Sequence, residues 1–198
     1  MEPRILLDFL LRVAPLKDAH RHCTTLRGEP ESVAAHSWRL ALMALLLKNT
    51  FPDLDMDRVV AMCLVHDFGE AVTGDIPAFL KTGRDEKVEE GAVEGLLSHL
   101  PEREREEISA LFSEMQEQST PEARLFKALD KIEAVIAHNE SDLSTWLPLE
   151  YDLQLTYGVK EAEAFPYMQA LRQAVRQDSL DKIAAGKAEN EKTPPETE

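Results

Sequence analysis

Four residues of this chain could hold a metal ion if the fold brought them together. His66 and Asp67 are adjacent and close an apolar run, Val59-Val60-Ala61-Met62-Cys63-Leu64-Val65. An ionised carboxylate beside such a run is costly unless something compensates it, and a divalent cation compensates it well. Imidazole with carboxylate suits Mn²⁺, Fe²⁺, Co²⁺ or Zn²⁺ better than Ca²⁺. Neighbouring helical residues point about 100° apart, so His66 and Asp67 share an ion only if it lies over the seam between them. Further ligands must then come from other segments. His36, in Val33-Ala34-Ala35-His36-Ser37-Trp38, and Asp130, in Phe126-Lys127-Ala128-Leu129-Asp130-Lys131-Ile132, are the candidates. A solvated Asp and a satisfied His are the plain alternatives for each.

The elements that would carry these residues read as helices. Apolar positions recur at helical spacing in Pro3–Ala14, where Ile5, Leu6, Phe9, Leu10 and Val13 share a face. Ser32 can cap a helix from Val33 to about Lys48, and Asp55 one from about Met56 to Phe68. Glu86–Leu100 is a weaker case. Pro101 opens Glu102 to about Gln118, and Ser119-Thr120-Pro121 opens a long helix to about Asn139. One or two more fall within Val159–Ile183. No segment alternates with period two between hairpin turns, so no strand is predicted. The fold class is all-α, a single helical domain over residues 1–185, with residues 186–198 expected to be a disordered acidic tail.

Composition narrows the function. The chain has 198 residues, 43% hydrophobic and 30% charged, which is ordinary for one globular domain. Its net charge of −15 opposes binding to nucleic acid polymers and to anionic membrane surfaces. The longest apolar run, Leu40–Leu47, has eight residues where a membrane span needs about 20. Residues 1–9 do not read as a signal peptide, and two cysteines make no disulfide framework, so a cytoplasmic setting is expected. A small anionic substrate remains compatible, provided a local cation reverses the field.

Three blocks carry a resemblance. Glu31-Ser32-Val33-Ala34-Ala35-His36-Ser37-Trp38, then His66-Asp67-Phe68-Gly69-Glu70-Ala71-Val72-Thr73-Gly74-Asp75-Ile76-Pro77, then Ala128-Leu129-Asp130-Lys131-Ile132-Glu133 are similar to the HD-domain 5′-deoxynucleotidases, metal-dependent phosphohydrolases of the HD superfamily. The resemblance implies an HD-domain helical bundle that removes phosphate from deoxyribonucleoside 5′-monophosphates. It implies His36, His66, Asp67 and Asp130 as ligands of a divalent metal (Co, Mn, Mg, Fe or Zn). It also implies Glu70 beside the bound water, Arg21 on the phosphate, Asp75 on the 3′ side of the sugar, and a homodimer. Where the family has a tryptophan lining the sugar pocket, this chain has His22, so a different small phosphorylated substrate, such as a modified nucleotide, is the alternative. A metal-stabilised helical regulator without turnover is the second.

Residue chemistry agrees with these roles. Glu70 lies one helical turn beyond His66 and Asp67, so it faces the same way and can handle the proton of a water. Arg21 presents a planar fork for two phosphate oxygens. Lys81 would add positive charge near the phosphate, or stand as an ordinary surface lysine. Cys23 and Cys63 read as plain small or core residues, Trp38 as core, and His99 and His138 as surface residues near helix ends. Trp146 reads as core, or as part of a pocket wall.

Overall fold

The computed structural model describes residues 1–192 and has a core of three helices, α2 (Val33–Leu46), α3 (Met56–Val65) and α7 (Pro121–Glu140). Each begins on a polar cap. Ser32 Oγ accepts from Ala35 N, Asp55 Oδ1 from Arg58 N, and Thr120 Oγ1 from Ala123 N. These caps satisfy backbone donors that a helix start leaves free. Leu40, Ala44, Met56, Val59, Met62, Leu125, Leu129 and Ile132 interlock between the three helices with almost no exposure. Burial of each large aliphatic side chain stabilises the fold by about 1.5–3 kcal/mol, which fixes the register of these helices.

Around this core lie α1 (Pro3–Val13), α4 (Glu70–Thr73), α5 (Gly83–Leu97), α6 (Glu102–Glu117), α8 (Pro148–Thr156), α9 (Val159–Ala162) and α10 (Pro166–Lys192), with short 3-10 turns at Ala14–Lys17 and Leu143–Thr145. Phe9 of α1 packs with Val93, Leu97 and Leu100 in a second cluster that reaches Phe68. The segment between α3 and α4 is pressed against α5. A Cβ on Gly69 would lie 2.5 Å from Glu89 Cγ and 3.0 Å from the Glu89 carbonyl oxygen, so only glycine fits this approach.

The all-α class holds, with four local differences from the sequence reading. A small antiparallel hairpin pairs β1 (His20–Thr24) with β2 (Pro30–Ser32). Its strands are too short and polar to show alternation, yet they carry Arg21, His22 and Glu31. Helix α3 stops at Val65, so His66 and Asp67 occupy its C-terminal cap and the turn beyond rather than the helix body. Helix α8 carried no apolar repeat strong enough to announce it. Helix α10 runs through Lys192, so residues 186–192, read as part of a tail, are helical; residues 193–198 of that expected tail lie outside the described residues.

Trp38, expected in the core, is 64% exposed. It lies two positions past buried His36, which turns it about 200° away from the core face of α2. Cys63 is fully buried, as expected. Among the described residues, no helix is long and apolar enough to cross a membrane.

Candidate functional site

His36 stands in the first turn of α2, His66 caps α3, Asp67 follows it, and Asp130 sits midway along α7. Core packing therefore brings them together. His36 Nε2 lies 3.2 Å from His66 Nε2, 3.4 Å from Asp130 Oδ1 and 3.9 Å from Asp67 Oδ2. His66 Nε2 is 3.0 Å from Asp67 Oδ2 and 3.8 Å from Asp130 Oδ1. One atom each from His36, His66 and Asp67 falls within 4.8 Å of the others, a spacing that can hold an ion. Asp130 joins them through Oδ1, while its Oδ2 accepts from Lys127 Nζ at 2.8 Å.

The donor set fits a cation. Ligands about 2.0–2.2 Å from one ion stand about 2.8–3.6 Å apart in octahedral or tetrahedral arrangements, close to the spacings here. The outer imidazole nitrogens are already occupied. His66 Nδ1 faces the Cys63 carbonyl oxygen at 3.0 Å; that oxygen can only accept, so Nδ1 carries the proton and the Nε2 lone pair points inward. His36 Nδ1 donates to Glu133 Oε2, which aims its Nε2 the same way. Two inward Nε2 atoms beside two carboxylates make a nest for positive charge.

The local electrostatics agree. Burial and Arg21 push the His36 imidazole down, but Asp130 and Glu133 outweigh them and hold it up at about 10. Burial would raise Asp67, yet His66 and His36 bring it down to about 2. Burial likewise opposes ionisation of Asp130, and Lys127, His36 and His66 hold it well below the usual carboxylate range.

A cleft of about 920 Å³ opens over this cluster. Glu70, the first residue of α4, lines it and is 6% exposed; its Oε2 has no hydrogen-bond partner among the described residues. Burial first, then the charges of Asp67, Asp75 and Glu89, push its carboxyl up to about 9 against the pull of Lys81. Asp75, in the loop after α4, is raised by burial and by Asp67, and lowered by Arg21 and Lys81. Lys81 lines the cleft too and is paired with Glu89.

Arg21 enters from β1. Its Nη1 donates to Glu31 Oε2 at 2.8 Å and to Glu133 Oε2 at 3.2 Å. Burial disfavours its charge, but Glu133, Cys23 and Glu31 raise its pKa further, so it stays cationic. His22 lies on the cleft wall, with Nε2 3.2 Å from Glu150 Oε1 and its ring edge-on to Phe79. Cys23 also lines the cleft, but its thiol donates to Glu31 and burial pushes it up to about 12, which leaves no thiolate for attack.

Sequence reasoning missed several participants. His138, expected at the surface, is buried and lines the cleft, its ring against Trp146 with centroids 4.8 Å apart. The signal was helical spacing: Lys127, Asp130, Ala134 and His138 form one stripe of α7, and all four face the cleft. Glu133 is fully buried among Ile132, Ala134 and Val135, a setting that could have flagged it as Asp67 was flagged. Arg39, Glu31 and Glu150 gave no such signal, because only the folded chain shows their partners.

Comparison with known proteins is consistent with this geometry. The family model described as HD domain matches residues 13–172. A 5′-deoxynucleotidase of Bos taurus is 39% identical over 141 residues, covering 69% of this chain and 68% of its own. A 5′-deoxynucleotidase of Schizosaccharomyces pombe is 31% identical over 134 residues, covering 60% of this chain and 67% of its own. Among solved structures, a predicted metal-dependent phosphohydrolase of Magnetospirillum magnetotacticum aligns with a TM-score of 0.79 at 26% identity, over 90% of this chain and 93% of the other.

Proposed function

The chain belongs to the HD domain family, and from that premise we propose that it is a metal-dependent phosphomonoesterase acting on deoxyribonucleoside 5′-monophosphates. One observation carries the reading: a His-His-Asp cluster, joined by Asp130, opens into the same cleft as partly buried Arg21 and buried Glu70, whose Oε2 has no hydrogen-bond partner among the described residues. The names of the Bos taurus and Schizosaccharomyces pombe relatives support the substrate class.

His36, His66, Asp67 and Asp130 hold a divalent cation, with Co, Mn, Mg, Fe and Zn all suited to these donors. When bound, such an ion polarises a phosphoryl oxygen and acidifies water. Arg21 binds the phosphate with the part of its fork that Glu31 and Glu133 leave free. Burial and the neighbouring carboxylates favour protonated Glu70, and a cation bound at Asp67 would offset them; in its ionised form Glu70 would orient the attacking water through Oε2 and take its proton there. Asp75 accepts from the 3′ hydroxyl of the sugar. His22 and Lys81 complete the substrate wall. A small-molecule substrate accords with a cleft of about 920 Å³ and with the charge of −15. A homodimer, a cytoplasmic setting, and no contact with nucleic acid polymers or membranes complete the reading; the exposed leucines Leu7, Leu10 and Leu11 of α1 support an interface between copies.

His22 favours a second reading, a modified nucleotide or other small phosphomonoester, because its ring is anchored to Glu150 rather than offering a broad apolar face. Phosphate release from a panel of deoxyribo- and ribonucleoside mono- and triphosphates, repeated with each metal, separates the two. Preferential release from deoxyribonucleoside 5′-monophosphates is expected. Preference for another monoester favours the second reading, and no release above metal-only controls overturns both in favour of a non-catalytic metal-stabilised protein.

A further inference from the structure

Glu133 has two oxygens and three basic partners drawn from two elements. Oε1 accepts from Arg39 Nε at 2.5 Å. Oε2 accepts from His36 Nδ1 and, at 3.2 Å, from Arg21 Nη1. The side chain is 0% exposed. A buried carboxylate is costly, and its neighbours Ile132 and Val135 show that α7 packs well with apolar residues here. What a leucine could not do is hold the Nδ1 proton of His36 and one edge of Arg21 at once.

We propose that Glu133 is a positioning residue whose Oε2 sets both the cation-facing orientation of His36 and the seat of Arg21, tying the metal half of the site to the phosphate half. The inference rests on the reading of His36 as a ligand and Arg21 as the phosphate contact. Glu31 supplies the internal contrast. It holds the same Arg21 atom at 2.8 Å and reaches Arg39 at 3.3 Å, but it makes no hydrogen bond or ion pair with His36. The two glutamates share the arginines and differ in the imidazole.

The test shortens each glutamate by one methylene while keeping its charge. Zn²⁺ affinity is measured by competition with a chelator, and inorganic phosphate is titrated into Zn²⁺-saturated protein. Glu133→Asp should weaken Zn²⁺ binding about 10–100-fold, the usual consequence of removing the partner behind a ligating histidine. It should also weaken phosphate roughly two- to tenfold, the worth of one hydrogen bond. Glu31→Asp should weaken phosphate similarly and leave Zn²⁺ within about twofold.

Unchanged Zn²⁺ affinity in Glu133→Asp, or an equal loss in Glu31→Asp, overturns the proposal. His36→Ala separates the two levels of failure. If it abolishes Zn²⁺ binding while Glu133→Asp changes nothing, the ligand reading stands and the positioning role falls; if it changes nothing, both fall. Should Glu133→Asp not fold, the wild-type protein still decides the matter. A long-range ¹H–¹⁵N spectrum of the Zn²⁺-loaded enzyme should show His36 with its proton on Nδ1 and the metal on Nε2, and the reverse overturns the proposal.

Discussion

The floor of the cleft and its walls are built differently. The floor is made of His36, His66, Asp67 and Asp130, and three of these sit on or at the end of core helices whose register is locked by Leu40, Met62 and Leu129. The walls are made of Arg21 and His22 on a short hairpin, Asp75 and Lys81 in a loop, and Glu150 on a peripheral helix. Apolar packing positions the floor. Wall side chains are positioned by one another: Arg21 by Glu31 and Glu133, His22 by Glu150, Lys81 by Glu89. Floor substitutions should therefore abolish a property, whereas wall substitutions should tune one.

Glu70 lies at the junction, and its replacement should give the largest kinetic effect. Glu70→Gln should lower kcat by about 10²–10⁴-fold, the range of a general acid–base group, with substrate still bound. Steady-state kinetics on a deoxyribonucleoside 5′-monophosphate measure this. A loss confined to KM would move Glu70 from the chemistry to the wall.

Metal removal comes next. A ligand that binds only the folded state at 100 times its Kd stabilises it by about 2.7 kcal/mol. In a chain of this size that corresponds to a fall in Tm of about 5–10 °C on treatment with a chelator. Differential scanning calorimetry with and without EDTA reads it. No shift would mean that the floor is held by its own side chains alone.

Arg21→Ala tests the wall. Loss of a charged hydrogen bond costs about 1.5–3 kcal/mol, hence roughly tenfold or more in kcat/KM, and the metal content should stay at the wild-type level. Metal loss in this variant would erase the division between floor and wall.

The parts legible in the sequence follow the same division. Asp67 and His36 stood out because polar groups amid apolar residues need a reason, and the capping residues Ser32, Asp55 and Thr120 marked where the core helices begin. The hairpin was invisible, since strands of five and three residues have no period to read. His138 was misplaced because its burial depends on Trp146 and Glu150, which a different helix and turn bring to it. Local pattern encodes the floor, and pairings distant in sequence encode most of the wall.

Asp75→Ala is expected to give the smallest effect. It should mainly raise KM and erase the preference for a deoxyribonucleoside 5′-monophosphate over its 3′-deoxy analogue, because a group that pairs with a substrate hydroxyl discriminates through the bonds left unmade. Substrates matched except for the 3′ hydroxyl measure it. A fall in kcat with the 3′ preference intact would assign Asp75 to the chemistry instead.

The central claim is that the floor holds one divalent cation, and metal stoichiometry tests it most directly. Elemental analysis of purified, metal-loaded protein should find one equivalent in the wild type and none in Asp67→Ala, with circular dichroism showing that most helicity is retained. A full equivalent of tightly bound metal in folded Asp67→Ala would contradict the account.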